Sequence, residues 1–331
     1  MVSRETNLER FSDPRLSNGA KRLQFRITHE CNLRCPHCRV GDYVTDPNVE
    51  DEVTTADILA FMDKVPIKTV VIDGGEPLLP RVREKAFAIV QKCIDLDILG
   101  VVIATNGTQE IPEFNLDGPN LNVQFSVSLD GIPEDHDALR GAGTAEKAMK
   151  FMRDMMQKGY YVQCQYTIQG IPNFAKIREF INFVKKNRLV NSPVTLKYLR
   201  NAGNAIDASD GANIKMLYEN TSYSKENFAK FCKAECVELE TVNQCVASQG
   251  RFSSIVIDPY GNIQPCASLP HVSIGHINTY DSAALEAAQQ EFFTTHTNCY
   301  VLASVPEDKL IIPGNECRNS PEFRQKFYKE V

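Results

Sequence analysis

The sequence predicts an α/β fold built on a parallel sheet, followed by a smaller C-terminal unit. Three observations carry that expectation. Short β-rich runs alternate with helical patterns between about residues 22 and 210, a spacing that implies βαβ units. After about residue 210 the pattern changes, and the late cysteines gather there. The chain of 331 residues is long enough for about two domains.

Residues 1–21 are polar, hold Pro14 and Gly19, and read as an N-terminal arm. The core spans 22–210. Its strands are expected at Leu23–Thr28, Thr69–Asp73, Gly100–Thr105, Val123–Leu129, Tyr161–Thr167 and Val194–Leu199. Helices are expected at about 55–64, 82–95, 144–158 and 173–187, the third capped by Thr144 and Gly159. The stripe of Met149, Met152, Met155 and Met156 reads as helix core, as does Cys93, and Cys164 should face the helices. The polar stretch 211–240 reads as a helical bridge. The unit 241–331 opens on a hairpin at Val256–Ile263 that turns through Pro259, Tyr260 and Gly261.

Several strands alternate instead of being apolar throughout. Gln24, Arg26 and Thr28 share one face of their strand, as do Gln124, Ser126, Ser128 and Asp130, and Gln163, Gln165 and Thr167. Parallel strands covered on both faces are usually near-continuous apolar runs. A sheet curled into a barrel or partial barrel around a polar ligand accounts for the difference.

Composition narrows the function. Lys and Arg number 36 against 42 Asp and Glu, a net charge of −6, which argues against a nucleic-acid partner. No apolar run approaches the roughly 18 residues of a membrane span. The opening MVSRETNLERFSDPRL has no apolar signal-peptide core. Eleven cysteines, an odd count, then argue for metal or thiol chemistry in a reducing compartment, and the expected location is cytoplasmic.

The densest signal is Cys31-Asn-Leu-Arg-Cys35-Pro-His-Cys38, a C-x3-C-x2-C array directly after the first strand. Thiolates so close together can ligate one centre, and soft sulfur favours zinc or an iron–sulfur cluster. Structural zinc wants a fourth ligand. His37 could supply it, but sits between two cysteines that would compete with it. A four-iron cluster on three cysteines leaves one iron open.

On these residues the sequence resembles the radical S-adenosylmethionine (radical SAM) superfamily. The cysteine array matches the family's cluster motif, and Asp73-Gly74-Gly75-Glu76-Pro77 matches its glycine-rich motif after the second strand. The resemblance implies a partial (β/α)6 barrel and a cluster that binds SAM at its open iron. It places SAM against Gly74, Gly75, Glu76, Pro77, Thr105, Asn106, Ser126, Ser128, Asp130 and Arg140, with Arg140 on the SAM carboxylate. Glycines at such an edge let the backbone approach a ligand. Reductive cleavage of SAM would yield methionine and a 5′-deoxyadenosyl radical that abstracts hydrogen from substrate. A flavodoxin- or ferredoxin-type protein would donate the electron.

Cys245, Gly261 and Cys266, with Gly275-His276-Ile277-Asn278, resemble the opening of the SPASM/twitch extension found in part of that superfamily. This implies an α+β twitch-like domain with a second four-iron cluster on Cys245, Cys266, Cys299 and Cys317. An auxiliary cluster favours net oxidation or cross-linking of a peptide or small polar metabolite. The alternative is redox-neutral epimerisation with Cys232 or Cys236 returning hydrogen. Tyr198 and Arg200 are candidate substrate contacts. The short stretch before the first strand leaves no room for a peptide-recognition domain, so a separate recognition protein could serve. A non-catalytic iron–sulfur carrier and a zinc adaptor are the readings from other classes.

Overall fold

The computed structural model describes residues 21–38, 40, 52–112, 122–168, 173–192, 194–198, 234–235, 238–239, 254–264 and 273–295. Strand β1 (Lys21–Arg26) is followed by α1 (Thr55–Met62), β2 (Ile67–Asp73), α2 (Arg83–Asp95), β3 (Gly100–Thr105) and β4 (Asn122–Ser128). Then come α3 (Pro133–Arg140), α4 (Thr144–Gln157), β5 (Tyr161–Ile168), α5 (Phe174–Lys186), β6 (Thr195–Tyr198) and β7 (Glu238–Leu239). The late elements are β8 (Ser254–Ile257), β9 (Asn262–Gln264), β10 (Gly275–His276) and α6 (Ser282–Thr295). No helix among the described residues is long and apolar enough to cross a membrane.

Among the described residues, one ten-stranded sheet holds every strand, in the order β10-β9-β8-β1-β2-β3-β4-β5-β6-β7. Neighbours from β8 through β7 run parallel, and only β9 and β10 are antiparallel. The expected hairpin is β8–β9, turned at Gly261 with φ +86°. Its first strand pairs in parallel with β1, so the late strands extend the core sheet instead of starting another.

Register explains the alternation in the sequence. Leu23 and Phe25 align with Val70 and Ile72, these with Val101 and Ile103, and these with Val123 and Phe125. That face is dry and covered by helices, with Phe125 set edge-on against Phe151 of α4 at 5.5 Å between ring centroids. Cys93, Cys164, Met152 and Met155 are buried with it, while Met149 and Met156 pack at its margin. The opposite face carries Gln24, Arg26, Asp73, Gln124, Ser126, Ser128, Gln163, Gln165, Thr167 and Lys197, with Val71, Val102, Ala104 and Val256 as apolar exceptions.

Helix starts follow local chemistry. Thr54 and Asp57 form a reciprocal capping box on α1, and Asn173 caps α5 through the Ala175 and Lys176 amides. Thr144 does not cap α4 as expected. The cap position belongs to Gly143, in a left-handed conformation, and the Asp137 carboxylate takes the Gly143 and Ala145 amides at 2.6 and 2.8 Å. Gly159 lies one residue beyond the α4 C-cap, Lys158, with φ +91°. Helix α3 has no counterpart in the sequence expectations, and β7 lies within the stretch expected to be a helical bridge.

Candidate functional site

Parallel strands leave their carboxyl ends open to ligands, and here those ends gather the motif residues. The chain leaves β1 with the Ile27 amide still bonded to Asp73 O at 3.0 Å, then runs into the cysteine loop. The turn after β2 is stitched onto that loop: Gly75 N donates to Thr28 O and Glu76 N to Glu30 O, both at 2.8 Å. A side chain on Gly74 would strike the Thr28 carbonyl oxygen, and one on Gly75 the carbonyls of Glu30 and His29. The glycines therefore serve a close approach of two chain segments, in addition to any ligand.

Glu76 is fully buried. Its Oε1 accepts from Thr105 Oγ1 (2.7 Å) and Leu78 N (3.0 Å), and its Oε2 from Asn106 N (2.7 Å). The carboxylate splints the end of β2 to the end of β3, so a ligand at this edge meets backbone rather than this side chain. Burial pushes its carboxyl up to about 7, and the three donors limit the rise. A raised carboxyl adds stability that is complete below pH 4.5 and is lost as pH climbs through 7. Glu76→Gln should cost about 1–3 kcal/mol at pH 5, because its NH2 faces the Asn106 amide. The gap to wild type should narrow between pH 5 and 8, as urea titrations at several pH values would show.

Each cysteine of the array has donors at its sulfur or an ordered turn beside it. Cys31 Sγ faces Leu33 N at 3.4 Å and Asn106 Nδ2 at 3.8 Å. Asn106 also reaches Asn32 Oδ1 at 3.0 Å, which ties the end of β3 to the loop. Cys35 is buried, and Arg140 Nη1 lies 3.9 Å from its Sγ. Cys38 N bonds to Cys35 O at 3.0 Å. Burial pushes the Cys31 thiol up to about 11 and raises that of Cys35. Metal ligation requires thiolates, so loading would release protons. No three His, Cys, Asp or Glu side chains among the described residues converge on a single-ion site. The donors at the Cys31 and Cys35 sulfurs are of the kind that thiolate ligands use.

Asp130 and His37 complete the site. Asp130 accepts from Arg140 Nε at 2.7 Å and from Thr167 N at 2.7 Å, and His37 Nε2 lies 3.2 Å from its Oδ2. Burial alone would raise the Asp130 carboxyl, but Arg140 and His37 hold it well below the usual carboxylate range. His136 accepts from the Asp130 amide through Nδ1, and burial lowers its pKa to about 4, so it is neutral at pH 7. Ser126 is buried and bonded to Gln163 and Gln165, and Ser128 is half-buried. Pro77 is buried beside Leu78.

Behind the loop, the Glu52 carboxylate takes Thr28 Oγ1 at 2.8 Å and Lys85 Nζ at 3.4 Å. Sequence reasoning did not single out Glu52 or Lys85, and no local pattern marks them. The Tyr198 side chain, Arg200, Cys232, Cys236, Cys245, Cys266, Cys299 and Cys317 lie outside the described residues, as do residues 1–20 of the expected N-terminal arm, whose last residue, Lys21, opens β1.

Residues 25–184 match the sequence profile of the Radical SAM superfamily. This segment is a radical SAM domain. The radical SAM domain contains all three cysteines of the array, the Gly74–Pro77 turn and the Asp130–Arg140 pair. An AdoMet-dependent heme synthase of Methanosarcina barkeri is 33% identical over 161 residues, covering 46% of this chain and 44% of that protein. The antilisterial bacteriocin subtilosin biosynthesis protein AlbA of Bacillus subtilis is 26% identical over 274 residues, covering 78% of this chain and 58% of AlbA. The chain thus spans about half the length of these curated relatives. Streptococcus suis SuiB bound to S-adenosylmethionine shares the fold, with a TM-score of 0.59 at 15% identity, over 90% of this chain and 75% of SuiB. SuiB has also been solved with its precursor peptide SuiA, at a TM-score of 0.56 and 14% identity over 87% of this chain and 71% of SuiB.

Proposed function

We propose that this chain is a radical SAM enzyme in which Cys31, Cys35 and Cys38 hold a four-iron cluster and SAM. The C-x3-C-x2-C loop after β1, stitched to the Gly74–Pro77 turn and with donors at the Cys31 and Cys35 sulfurs, carries the reading. Loaded there, the reduced cluster would supply the electron that splits SAM into methionine and a carbon radical able to take hydrogen from substrate. The chain's own residues perform the rest. The backbone from Gly74 to Glu76 offers the edge for the SAM amino group, held in place by the Glu76 splint. Asn106 and the Leu33 amide steady Cys31, and Arg140 steadies Cys35.

The substrate in this reading is a peptide or small polar metabolite, laid against the polar face of the sheet where Gln124, Gln163, Gln165 and Ser128 present amides and a hydroxyl. The names of AlbA and of the SuiB–SuiA complex favour the peptide. A partial barrel, a twitch-like unit over 241–331 and a second cluster on Cys245, Cys266, Cys299 and Cys317 complete the proposal, with net oxidation or cross-linking as outcome. The decisive experiment is anaerobic reduction of iron-loaded protein with SAM. Formation of 5′-deoxyadenosine is expected, and its absence from fully loaded protein would refute the enzyme and leave an iron–sulfur carrier.

A further inference from the structure

The Arg140–Asp130 pair is built more tightly than the binding of a ligand carboxylate requires. All three guanidinium nitrogens are engaged inside the protein: Nε donates to Asp130 Oδ2 at 2.7 Å, Nη2 lies 3.2 Å from His37 Nε2, and Nη1 lies 3.9 Å from Cys35 Sγ. Asp130 is fixed in turn, since its Oδ1 takes the Thr167 amide at 2.7 Å and its own amide donates to His136 Nδ1 at 3.0 Å. The Asp130 side chain is completely enclosed and that of Arg140 is 12% exposed. The pair is therefore a fixed dipole, with its cationic end on the sulfur and its anionic end on the strand side.

We propose that the Arg140–Asp130 pair sets the reduction potential of the cluster on Cys31, Cys35 and Cys38, with Arg140 raising it at the Cys35 sulfur and the Asp130 charge partly offsetting that effect. The inference rests on the cluster proposed above. The electron added on reduction spreads partly onto the ligating sulfurs, so a cation in contact with one of them stabilises the reduced form more than the oxidised form. Hydrogen bonds to the sulfurs and net nearby charge are the known protein controls on such potentials. Arg140 touches the sulfur, and Asp130 stands one guanidinium further away. The two charges thus oppose each other unequally at Cys35, and removing either should move the potential in opposite directions. Damage to the loop would not produce that sign reversal.

The test is a one-electron titration of the full, anaerobically reconstituted chain without SAM, with mediators at an electrode supplying the electron. The paramagnetic signal followed is the one that Cys35→Ala removes, and iron content is read for every variant. Arg140→Gln should lower the ratio of reduced to oxidised cluster at a fixed potential about tenfold, a shift of about 59 mV to more negative values for one electron. Asp130→Asn should raise that ratio, and Arg140→Lys, which keeps the charge, should stay nearer wild type than Arg140→Gln. Shifts of the same sign, or no shift in either charge-removing variant with iron retained, would overturn the proposal. If Asp130→Asn sheds its iron, the Lys and Gln variants of Arg140 decide alone, and equal potentials in those two reject it. Unchanged iron in a Cys31, Cys35 and Cys38 triple Ala variant would instead remove the cluster itself, and the inference with it.

Discussion

Cys35→Ala is expected to bring 5′-deoxyadenosine formation down to that of a protein-free control, a loss of more than about 100-fold. Loss of outer-shell partners alone costs metal sites roughly 10–100-fold, and this change removes one of the three proposed ligands outright. Cys35 is the most informative of the three cysteines to replace. It is 7% exposed, so water cannot readily substitute for its sulfur, and it is the one in contact with a guanidinium. The Asp130–Arg140 pair does not depend on that sulfur, so the variant should fold. Iron content, thermal unfolding and product analysis together check the expectation. Wild-type cleavage by folded Cys35→Ala protein would show that the array is not the cluster site.

Gly75→Ala should destabilise the protein by ~3 kcal/mol, at the upper end of what overpacking a close contact costs. The new methyl group would meet the carbonyl oxygens of Glu30 and His29, which belong to backbone and cannot rotate away. Relief requires parting the turn after β2 from the segment before Cys31, and with it the bonds from Gly75 N to Thr28 O and from Glu76 N to Glu30 O. Cluster loading should fall as the loop loses its backing. The check is a lower denaturant midpoint with an unchanged slope, together with reduced iron per chain. A stability equal to wild type would mean that the two segments are not clamped in solution.

Much of the parallel sheet is legible in the sequence because its strands obey two constraints at once. Leu23, Phe25, Val123, Phe125 and Val127 must meet helices, while Gln24, Arg26, Gln124 and Ser126 must not, and the period of two writes both demands into one run. Strand ends shift by one or two residues because pairing, not composition, decides them. Helix α3 escapes notice since it spans a single eight-residue stretch, with Pro133 first and mostly polar residues after it. The cap on α4 escapes too, because Asp137 reaches it from the preceding helix, whereas a local pattern points to Thr144.

Within the site, the cysteine spacing and the Gly74–Pro77 turn are local and legible. The partners that give those residues their surroundings come from far along the chain: Asp130 and Arg140 reach His37 and Cys35 across β4 and α3, and no local spacing encodes that meeting. Glu76 shows the limit from the other side. Its place in the motif is plain in the sequence, but only the bonds from Thr105, Asn106 and Leu78 reveal that its carboxylate is turned inward.

The pairing of β8 with β1 has a consequence for how the molecule is made. Leu23 finds its partner Ile255 more than two hundred residues later, the kind of distant contact that slows folding. As the chain emerges from the ribosome, one edge of β1 stays open until Ser254–Ile257 has been synthesised. Strand β1 leads directly into the cysteine loop. The nascent protein therefore passes through a stage in which the support of its cysteine loop is half-zipped and exposed to association with other chains. Closure of the sheet by its last parallel strand sets the moment at which the loop gains its final backing.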